Sequence, residues 1–264
     1  MNAMKRTPIK PDLNDYPAVF RPILAGVPLY DSSCSPEARV IFIDRDGGYY
    51  LKKAAKGSLG AEAEMTAYFH SKGIGTAVLD YQSLQEDWLL TARARGEDCT
   101  HPRYLNDPKR LCDTLAVLLR SLHESDTRGC PVPNRMEGYF HTVEQNWRAG
   151  VFDPSFLPEE MKCLTRDEAF REVRAAKPCF QADTLLHGDY CLPNVMLDDW
   201  AFACYIDLGN GGVGDRHVDL FWGAWTLAFN LGTDRYRQRF FDAYGRDRVD
   251  TELLRIVGVC EAFG

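Results

Sequence analysis

Three oxygen-bearing side chains at fixed spacings constrain this chain more than any other feature of its sequence. The tripeptide His-Gly-Asp ends at Asp189, Asn194 stands five positions later, and Asp207 stands thirteen positions after that. Apolar runs precede both acidic residues, at 184–186 and at 202–206. Each aspartate is therefore expected at the exit of a short buried strand, from which a scaffold can aim a carboxylate into a cleft.

The spacing of Asp189 and Asn194 matches the kinase catalytic-loop pattern H-R-D-x-x-x-x-N. In that pattern the Asp accepts the proton of the substrate hydroxyl and the Asn ligates Mg²⁺. Asp207 falls where the D-F-G aspartate holds the metal that bridges the β- and γ-phosphates. An Asp after a Gly is by itself usually a turn residue, so only the joint spacing predicts phosphoryl transfer from a nucleoside triphosphate.

Composition narrows the class of protein. A chain of 264 residues is long enough for one large domain or two lobes, and 45% hydrophobic residues argue against disorder. The formal net charge of −7 argues against a nucleic-acid partner, because phosphate backbones are bound by basic patches. The same charge suits a cationic small substrate, although it would serve solubility equally well.

Cysteine usage and hydropathy indicate the compartment. Nine scattered cysteines form no C-x-x-C pair, so we expect reduced thiols in a cytoplasmic protein without a disulfide framework or zinc site. Residues 1–20 have three prolines and no apolar core, which is not typical of a signal peptide. The charge-free stretch Leu220–Thr233 is too short to span a bilayer. Neither a membrane nor an obligate protein partner is expected.

The first 90-odd residues predict the order β-β-α-β-β, a small antiparallel sheet with one packed helix. Residues 40–43 and 49–52 flank a Gly-rich hairpin turn, and residues 62–72 have helical periodicity. Two more strands are predicted at 77–80 and 88–91.

A polar connector at residues 92–98 is the candidate hinge between an N-terminal lobe, 1–92, and a C-terminal lobe, 93–264. Beyond it the chain becomes helical, beginning with Asp107 and Pro108 as an N-cap and first-turn pair. The stretch 125–160 is rich in Pro, Gly and polar residues and predicts no defined element. Further helical patterns cover residues 167–176, 218–231, 233–244 and 251–262.

With this order in place, the chain resembles the aminoglycoside 3′-phosphotransferase family, bacterial antibiotic-resistance kinases with a protein-kinase-like fold. The resemblance covers nearly the whole chain and is sharpest in HGDYCLPN (187–194), IDLGNGGVGDRHVD (206–219) and CEAF (260–263). It implies a bilobal α+β fold with a small antiparallel-sheet N-lobe and a larger, mainly helical C-lobe. It also implies phosphorylation of a hydroxyl, expected to be the 3′ one, of an aminoglycoside such as kanamycin or neomycin, which would confer resistance.

The resemblance assigns roles around the reacting hydroxyl. Asp189 would be the catalytic aspartate, and Asn194 and Asp207 would ligate Mg²⁺. His187 is interpreted as structural, tying the catalytic loop to the core. Asp219 fits a helix N-cap or an anchor of that loop at least as well as it fits a catalytic group.

For the nucleotide, ATP with GTP as a possible substitute, the resemblance points to the N-terminal lobe. Lys52 would pair with the α- and β-phosphates and with a helix glutamate, Glu62 in preference to Glu64. Helical geometry places these two glutamates about 200° apart, so only one can face the cleft. The loop 32–36, which contains Ser35, would cover the triphosphate. The backbone from Thr91 to Arg93 would bind the adenine edge.

For a polycationic aminoglycoside, clustered carboxylates are expected. The resemblance offers Glu261 and the pair Glu159–Glu160, although an acidic pair also suits the first turn of a helix. Phe263 would contribute at the substrate site. The sequence departs from the family twice: Asn210 stands where Arg is common, and Gly264 follows the Phe263 on which family chains often end.

Two other functions stay open. One is a kinase for another small hydroxylated molecule, such as a sugar, an amino alcohol or a macrolide. The other is a nucleotide-binding protein without turnover. The joint presence of Lys52, Asp189, Asn194 and Asp207 argues against the second, because a silent kinase usually lacks one of them.

Overall fold

The computed structural model describes residues 6–264, which divide into two units. The first unit contains the described residues up to Pro102 together with Pro193–Gly209, and the second contains Arg103–Leu192 and Asn210–Gly264. This division differs from the expected boundary at residue 92, and it adds the segment with Asn194 and Asp207 to the first unit. Residues 1–5 of the stretch considered as a signal peptide lie outside the described residues.

The described chain consists of short strands and mostly longer helices. The strands are β1 (Thr7–Ile9), β2 (Leu29–Asp31), β3 (Ala38–Ile43), β4 (Tyr49–Ala55), β5 (Val78–Ser83), β6 (Glu86–Ala92), β7 (Glu97–Asp98), β8 (Thr184–Leu186), β9 (Val195–Asp198), β10 (Ala201–Tyr205) and β11 (Gly212–Gly214). The helices are α1 (Arg21–Leu24), α2 (Gly60–Ser71), α3 (Pro102–Leu105), α4 (Pro108–His123), α5 (Arg135–Ala149), α6 (Arg166–Ala176), α7 (His217–Leu231), α8 (Arg237–Tyr244) and α9 (Thr251–Glu261).

An antiparallel sheet in the order β1-β2-β3-β4-β6-β5 dominates the first unit. Its β3-β4-α2-β6-β5 part confirms the expected strands and helix. Sequence reasoning missed β1 and β2, which are three residues each and carry little periodicity. β1 lies at the edge of the sheet, where Pro8 needs no ladder hydrogen bond.

A second, three-stranded sheet in the order β10-β9-β7 belongs to the same unit. β9 and β10 form a hairpin whose two turn residues, Asp199 and Trp200, both have positive φ, at 49° and 71°. At its open end, the Ile206 backbone N–H donates to the Asn194 carbonyl over 3.1 Å. The spacing between Asn194 and Asp207 is therefore the length of one hairpin.

The start of α2 is fixed to the sheet by one buried carboxylate. Asp87 on β6 accepts hydrogen bonds from the Leu59 backbone N–H and the Tyr81 hydroxyl, both over 3.0 Å. Burial raises the pKa of Asp87, but these bonds and one from the Gly57 backbone outweigh it and bring the pKa to about 2. The carboxylate thereby positions the helix that carries Glu62.

The second unit is built mainly from helices around an apolar core. The expected leucine repeat lies in α4, where Leu111, Leu115 and Leu119 are buried and Asp107 caps the helix through the Arg110 backbone N–H. A two-stranded antiparallel pair, β8 and β11, accompanies the helices. The expected α+β class is therefore confirmed. Within residues 6–264, none of the helices combines the length and the apolar character needed to cross a bilayer.

Sequence reasoning missed α5 entirely, because it lies in the stretch 125–160 that predicted no element. Its buried face is narrow, consisting of Met136, Phe140 and Val143. The Asn134 side chain caps its start, and Gly150 ends it with a φ of 80°. Two prolines just before the helix mask these signals.

We expect Gly96→Ala to destabilise the first unit more than an ordinary substitution at a left-handed glycine. Gly96 has a φ of +77°, and a Cβ there would lie 2.1 Å from the Leu197 carbonyl oxygen of β9. Strain and backbone displacement together should lower the free energy of unfolding by about 3 kcal/mol. Gly26→Ala is the matched control: its φ is +73°, and a Cβ there meets no atom within 4 Å. Equal losses for both variants in denaturant titrations would refute the steric explanation.

Candidate active site

A cavity of about 250 Å³ in the first unit gathers most of the residues predicted for nucleotide and metal. It is bounded by strands of the large sheet, by α2 and by the open end of the β9–β10 hairpin. The predicted residues that line it are Ser35, Lys52, Glu62, Thr91, Asn194 and Asp207.

Lys52 forms ion pairs with two carboxylates that line this cavity. Its Nζ atom donates to both Glu62 carboxylate oxygens, at 3.0 and 2.8 Å, and to Oδ1 of Asp207 at 3.0 Å. The Lys52 and Glu62 side chains are 20% and 11% exposed, whereas the Asp207 side chain is 52% exposed. α2 therefore presents Glu62 to the lysine and leaves Glu64 exposed.

The charge state of Lys52 follows from these partners. Burial lowers the pKa of Lys52, but the carboxylates of Asp207 and Glu62 outweigh it and raise the pKa above its usual value. Burial raises the pKa of the Glu62 carboxyl, and the lysine opposes that rise. The lysine is therefore a fixed positive charge next to the half-exposed carboxylate of Asp207.

Asp207 and Asn194 supply oxygen atoms that fit a magnesium ion. Magnesium is usually bound by one or two carboxylates together with phosphates and water. Asp207 has a φ of +58°, a conformation that costs a non-glycine residue energy and that concentrates at functional sites. Asn194 is 8% exposed and lines the same cavity. The donor set thus suits a metal bound jointly with a nucleotide.

The predicted backbone contact at Arg93 is not part of this cavity. The Arg93 N–H donates to the Gly48 carbonyl over 3.0 Å, and its guanidinium lies 5.9 Å from the centroid of the Phe42 ring. The next residue, Ala94, is buried and does line the cavity. Side-chain patterns could not reveal this shift, because it depends on which backbone groups the sheet uses.

The second unit has its own cavity of about 360 Å³, hereafter the acceptor cavity. Three predicted residues, Asp189, Asn210 and Glu261, line it together with Arg135, Tyr139 and Trp222, which sequence reasoning did not assign to a site. Arg135 and Tyr139 were missed because α5 was missed.

A buried carboxylate on the first turn of α7 holds the loop that carries Asp189. Asp219 accepts hydrogen bonds from the backbone N–H groups of His187 and Gly188, each over 2.8 Å. Its Oδ2 atom also lies 3.1 Å from His123 Nε2. Asp219 is therefore the anchor of the loop that carries Asp189, and α7 has Arg216 at its N-cap position.

Gly188 is required because two loops meet at its backbone. Its φ is +81°, and a Cβ there would lie 1.8 Å from the Asn210 carbonyl oxygen. Gly188 thus contacts the loop that contains Asn210 directly. This contact places the side chains of Asp189 and Asn210 in the same acceptor cavity.

Glu261 is the second carboxylate of the acceptor cavity. The Tyr139 hydroxyl donates to its Oε1 atom over 2.7 Å, and Trp222 also hydrogen-bonds to it. Burial raises the pKa of Glu261 to about 7; the bonds from Tyr139 and Trp222 oppose this rise, and the charge of Asp189 adds to it. Glu261 therefore changes charge near neutral pH.

The other predicted substrate residues lie elsewhere. Glu159–Glu160 are exposed on a single 3₁₀ turn, Glu159 pairs with Lys162 over 2.6 Å, and neither glutamate is among the described residues lining the acceptor cavity. The Phe263 side chain is fully buried and packs on Phe152, with ring centroids 5.2 Å apart. Phe263 is thus a core residue, and the adjacent Gly264 lines the cavity.

Comparisons with known proteins agree with this geometry. Residues 35–254 match the model of a phosphotransferase enzyme family. A probable aminoglycoside 3′-phosphotransferase of Lactococcus lactis subsp. lactis (strain IL1403) is 50% identical over 254 residues, 96% of this chain and 97% of that protein. An aminoglycoside 3′-phosphotransferase of Niallia circulans is 32% identical over 169 residues, 64% of each chain. A crystal structure of an aminoglycoside-3′-phosphotransferase of type VIII superposes with a TM-score of 0.73 and 26% identity, covering 88% of this chain and 91% of that one.

The two relatives cover 64% and 96% of this chain. The comparisons are consistent with one another. They confirm the kinase-like fold and the phosphotransferase activity that the motifs predicted. The chain belongs to the aminoglycoside 3′-phosphotransferase family of phosphotransferase enzymes.

Proposed function

We propose that this protein transfers the γ-phosphoryl group of ATP to a hydroxyl of an aminoglycoside, the 3′ hydroxyl of a kanamycin- or neomycin-like substrate. The observation that carries this proposal is the position of the Lys52 ammonium between Glu62 and Asp207, in a cavity that Asn194 also lines. These are the groups that phosphoryl transfer requires on the donor side.

On the donor side, Lys52 would bind the α- and β-phosphates, and the loop around Ser35 would cover the triphosphate. Asn194 and Asp207 would hold Mg²⁺, which when bound neutralises charge on the phosphates. The purine edge would meet the backbone at Thr91 and Ala94, and such a backbone contact can serve GTP as well as ATP.

On the acceptor side, Asp189 would orient the substrate hydroxyl and take its proton. The hydroxyl oxygen then forms a bond to the γ-phosphorus, the bond from that phosphorus to the bridging oxygen breaks, and ADP leaves with the electron pair. Positioning and charge neutralisation supply the rate enhancement, because the protein forms no covalent bond.

The acceptor cavity suits a polyamine because it contains two carboxylates, Asp189 and Glu261. The net charge of −7 favours the approach of such a substrate. Free thiols at all nine cysteine positions, all within the described residues, support a reducing cytoplasmic location. A panel of kanamycin, neomycin, an uncharged sugar, an amino alcohol and a macrolide with labelled ATP tests the substrate class.

We predict that Asp189→Asn lowers kcat for kanamycin phosphorylation by about 10²–10⁴-fold, because a positioned general base contributes that much. Nucleotide affinity should be unchanged, since Asp189 lines the acceptor cavity. Asp234→Asn, an exposed change between two helices, is the control. If Asp189→Asn kept more than a tenth of wild-type kcat, the catalytic assignment would be wrong.

Adjacent lysines on β4 provide a matched pair for the donor side. Lys52→Ala should weaken ATP binding at least tenfold, because a charge-assisted contact to phosphate is lost. Lys53→Ala should leave it unchanged, since Lys53 pairs with Glu86 and does not line the cavity. Calorimetric titration with ATP compares Lys52→Ala with Lys53→Ala, and equal losses of affinity at the two positions would contradict the assignment.

Asp207→Asn should raise the Mg²⁺ concentration needed for half-maximal activity.

Glu261 predicts a pH-dependent KM for the aminoglycoside. Its carboxyl is protonated below a pKa of about 7 and binds ammonium groups only when ionised. KM should therefore fall by up to about tenfold as pH rises from 6 to 8. Glu261→Gln should remove the part of the pH dependence of KM that comes from Glu261. Any pH dependence that remains in this variant then comes from titration of the substrate amines. Tyr139→Phe removes a donor that lowers the pKa of Glu261, so the fall should move to higher pH; superimposable profiles for all three proteins would exclude this role.

A further inference from the structure

Arg135, the first residue of α5, places a cation in the acceptor cavity, which Asp189 and Glu261 also line. Its Nη2 atom donates to the Asn210 side-chain oxygen over 2.6 Å. No carboxylate of residues 6–264 lies within ion-pair distance of its guanidinium. Arg148 on the same helix, by contrast, pairs with Glu144.

This arrangement costs free energy in the resting protein. Burial lowers the pKa of Arg135, and no opposite charge compensates for the lost hydration. The cation also opposes the binding of an ammonium-bearing substrate in the same cavity. A half-buried, unpaired guanidinium in this position is therefore explained best by an anion that enters during the reaction.

A chain of contacts links the guanidinium to the reacting centre. Arg135 contacts Asn210, the Asn210 backbone contacts Gly188, and Gly188 precedes Asp189. In the proposed function, the substrate hydroxyl that Asp189 orients receives the phosphoryl group, so the new phosphate forms in this cavity. A planar guanidinium with several donors matches the oxygen atoms of a phosphate.

We propose that Arg135 is a further catalytic residue, which binds the phosphoryl group as it reaches the acceptor oxygen and then holds the phosphate of the product, with Asn210 as its positioning residue. The inference rests on the proposed function. Arg135 takes no part in the bond changes: the acceptor oxygen bonds to the γ-phosphorus, ADP leaves with the electron pair of the broken bond, and the hydroxyl proton goes to Asp189.

Charge relocation tests this role. Since the Asn210 side chain touches the guanidinium, an arginine at position 210 can bring its own guanidinium to the same part of the cavity. Arg135→Gln should lower kcat about 10- to 100-fold and weaken inhibition by phosphorylated kanamycin about tenfold, because charge-assisted bonds to the phosphate are lost. The double variant Arg135→Gln/Asn210→Arg should regain at least tenfold of that kcat. KM for ATP should not change.

Controls separate catalysis from structure. Arg135→Lys keeps a point charge without the planar fork, so it should be intermediate. Arg148→Ala removes the same charge from the same helix and should keep wild-type kcat. Thermal unfolding checks that each variant folds. The inference is overturned if folded Arg135→Gln retains kcat within threefold, or if the double variant is no faster than Arg135→Gln.

A binding measurement distinguishes this inference from the proposed function. If the wild-type protein transfers no phosphate to any aminoglycoside, the proposed function fails. Calorimetry with chemically phosphorylated kanamycin then still compares wild type with Arg135→Gln, and equal affinity overturns the phosphate contact. If the wild type is active and the two proteins behave alike, only the role of Arg135 is lost.

Discussion

The orientation of the candidate catalytic aspartate depends on the buried carboxylate of Asp219. A fully buried charge is tolerated only when hydrogen bonds replace its lost hydration. Asp219 receives bonds from the backbone of His187 and Gly188 and lies against His123. Burial lowers the pKa of His123, so its neutral ring donates from Nε2 to the carboxylate and accepts from the Tyr244 hydroxyl at Nδ1. Hydrogen bonds through Asp219, His123 and Tyr244 thereby connect the loop that carries Asp189 to α7, α4 and α8.

The parts of the site that follow from local sequence were predictable. The spacing of Asn194 and Asp207 is the length of the β9–β10 hairpin, so a sequence motif encodes their proximity directly. Lys52 and Glu62 are separated by one strand end and one helix start, and helical geometry allows only one of Glu62 and Glu64 to face the cleft. Each relationship spans few residues and one turn, which is the range over which residue patterns determine geometry.

The parts that depend on distant contacts were not predictable. The hydrogen bond from the Arg93 N–H to the Gly48 carbonyl is a property of sheet pairing, and Ala94 rather than Arg93 lines the cavity. Glu159–Glu160 fit an acidic substrate site in composition, but their 3₁₀ turn leaves them in solvent. α5 was hidden by its narrow apolar face, and with it the residue Arg135. The predicted and the observed lining residues therefore differ more for the acceptor cavity than for the cavity of the first unit.

The charges of the acceptor cavity follow from what the proposed reaction does to its substrate. Before transfer, the cavity has to bind ammonium groups, which requires an ionised Glu261 held by Tyr139 and Trp222. After transfer, the same molecule carries a phosphate, which the carboxylates repel. One cation near the new phosphate offsets that repulsion, whereas a cation next to Glu261 would cancel the ammonium site. The Arg135 guanidinium is hydrogen-bonded to Asn210, whereas the Glu261 carboxylate is hydrogen-bonded to Tyr139. Because the positive and the negative group have different partners, the cavity can bind both the substrate and its product.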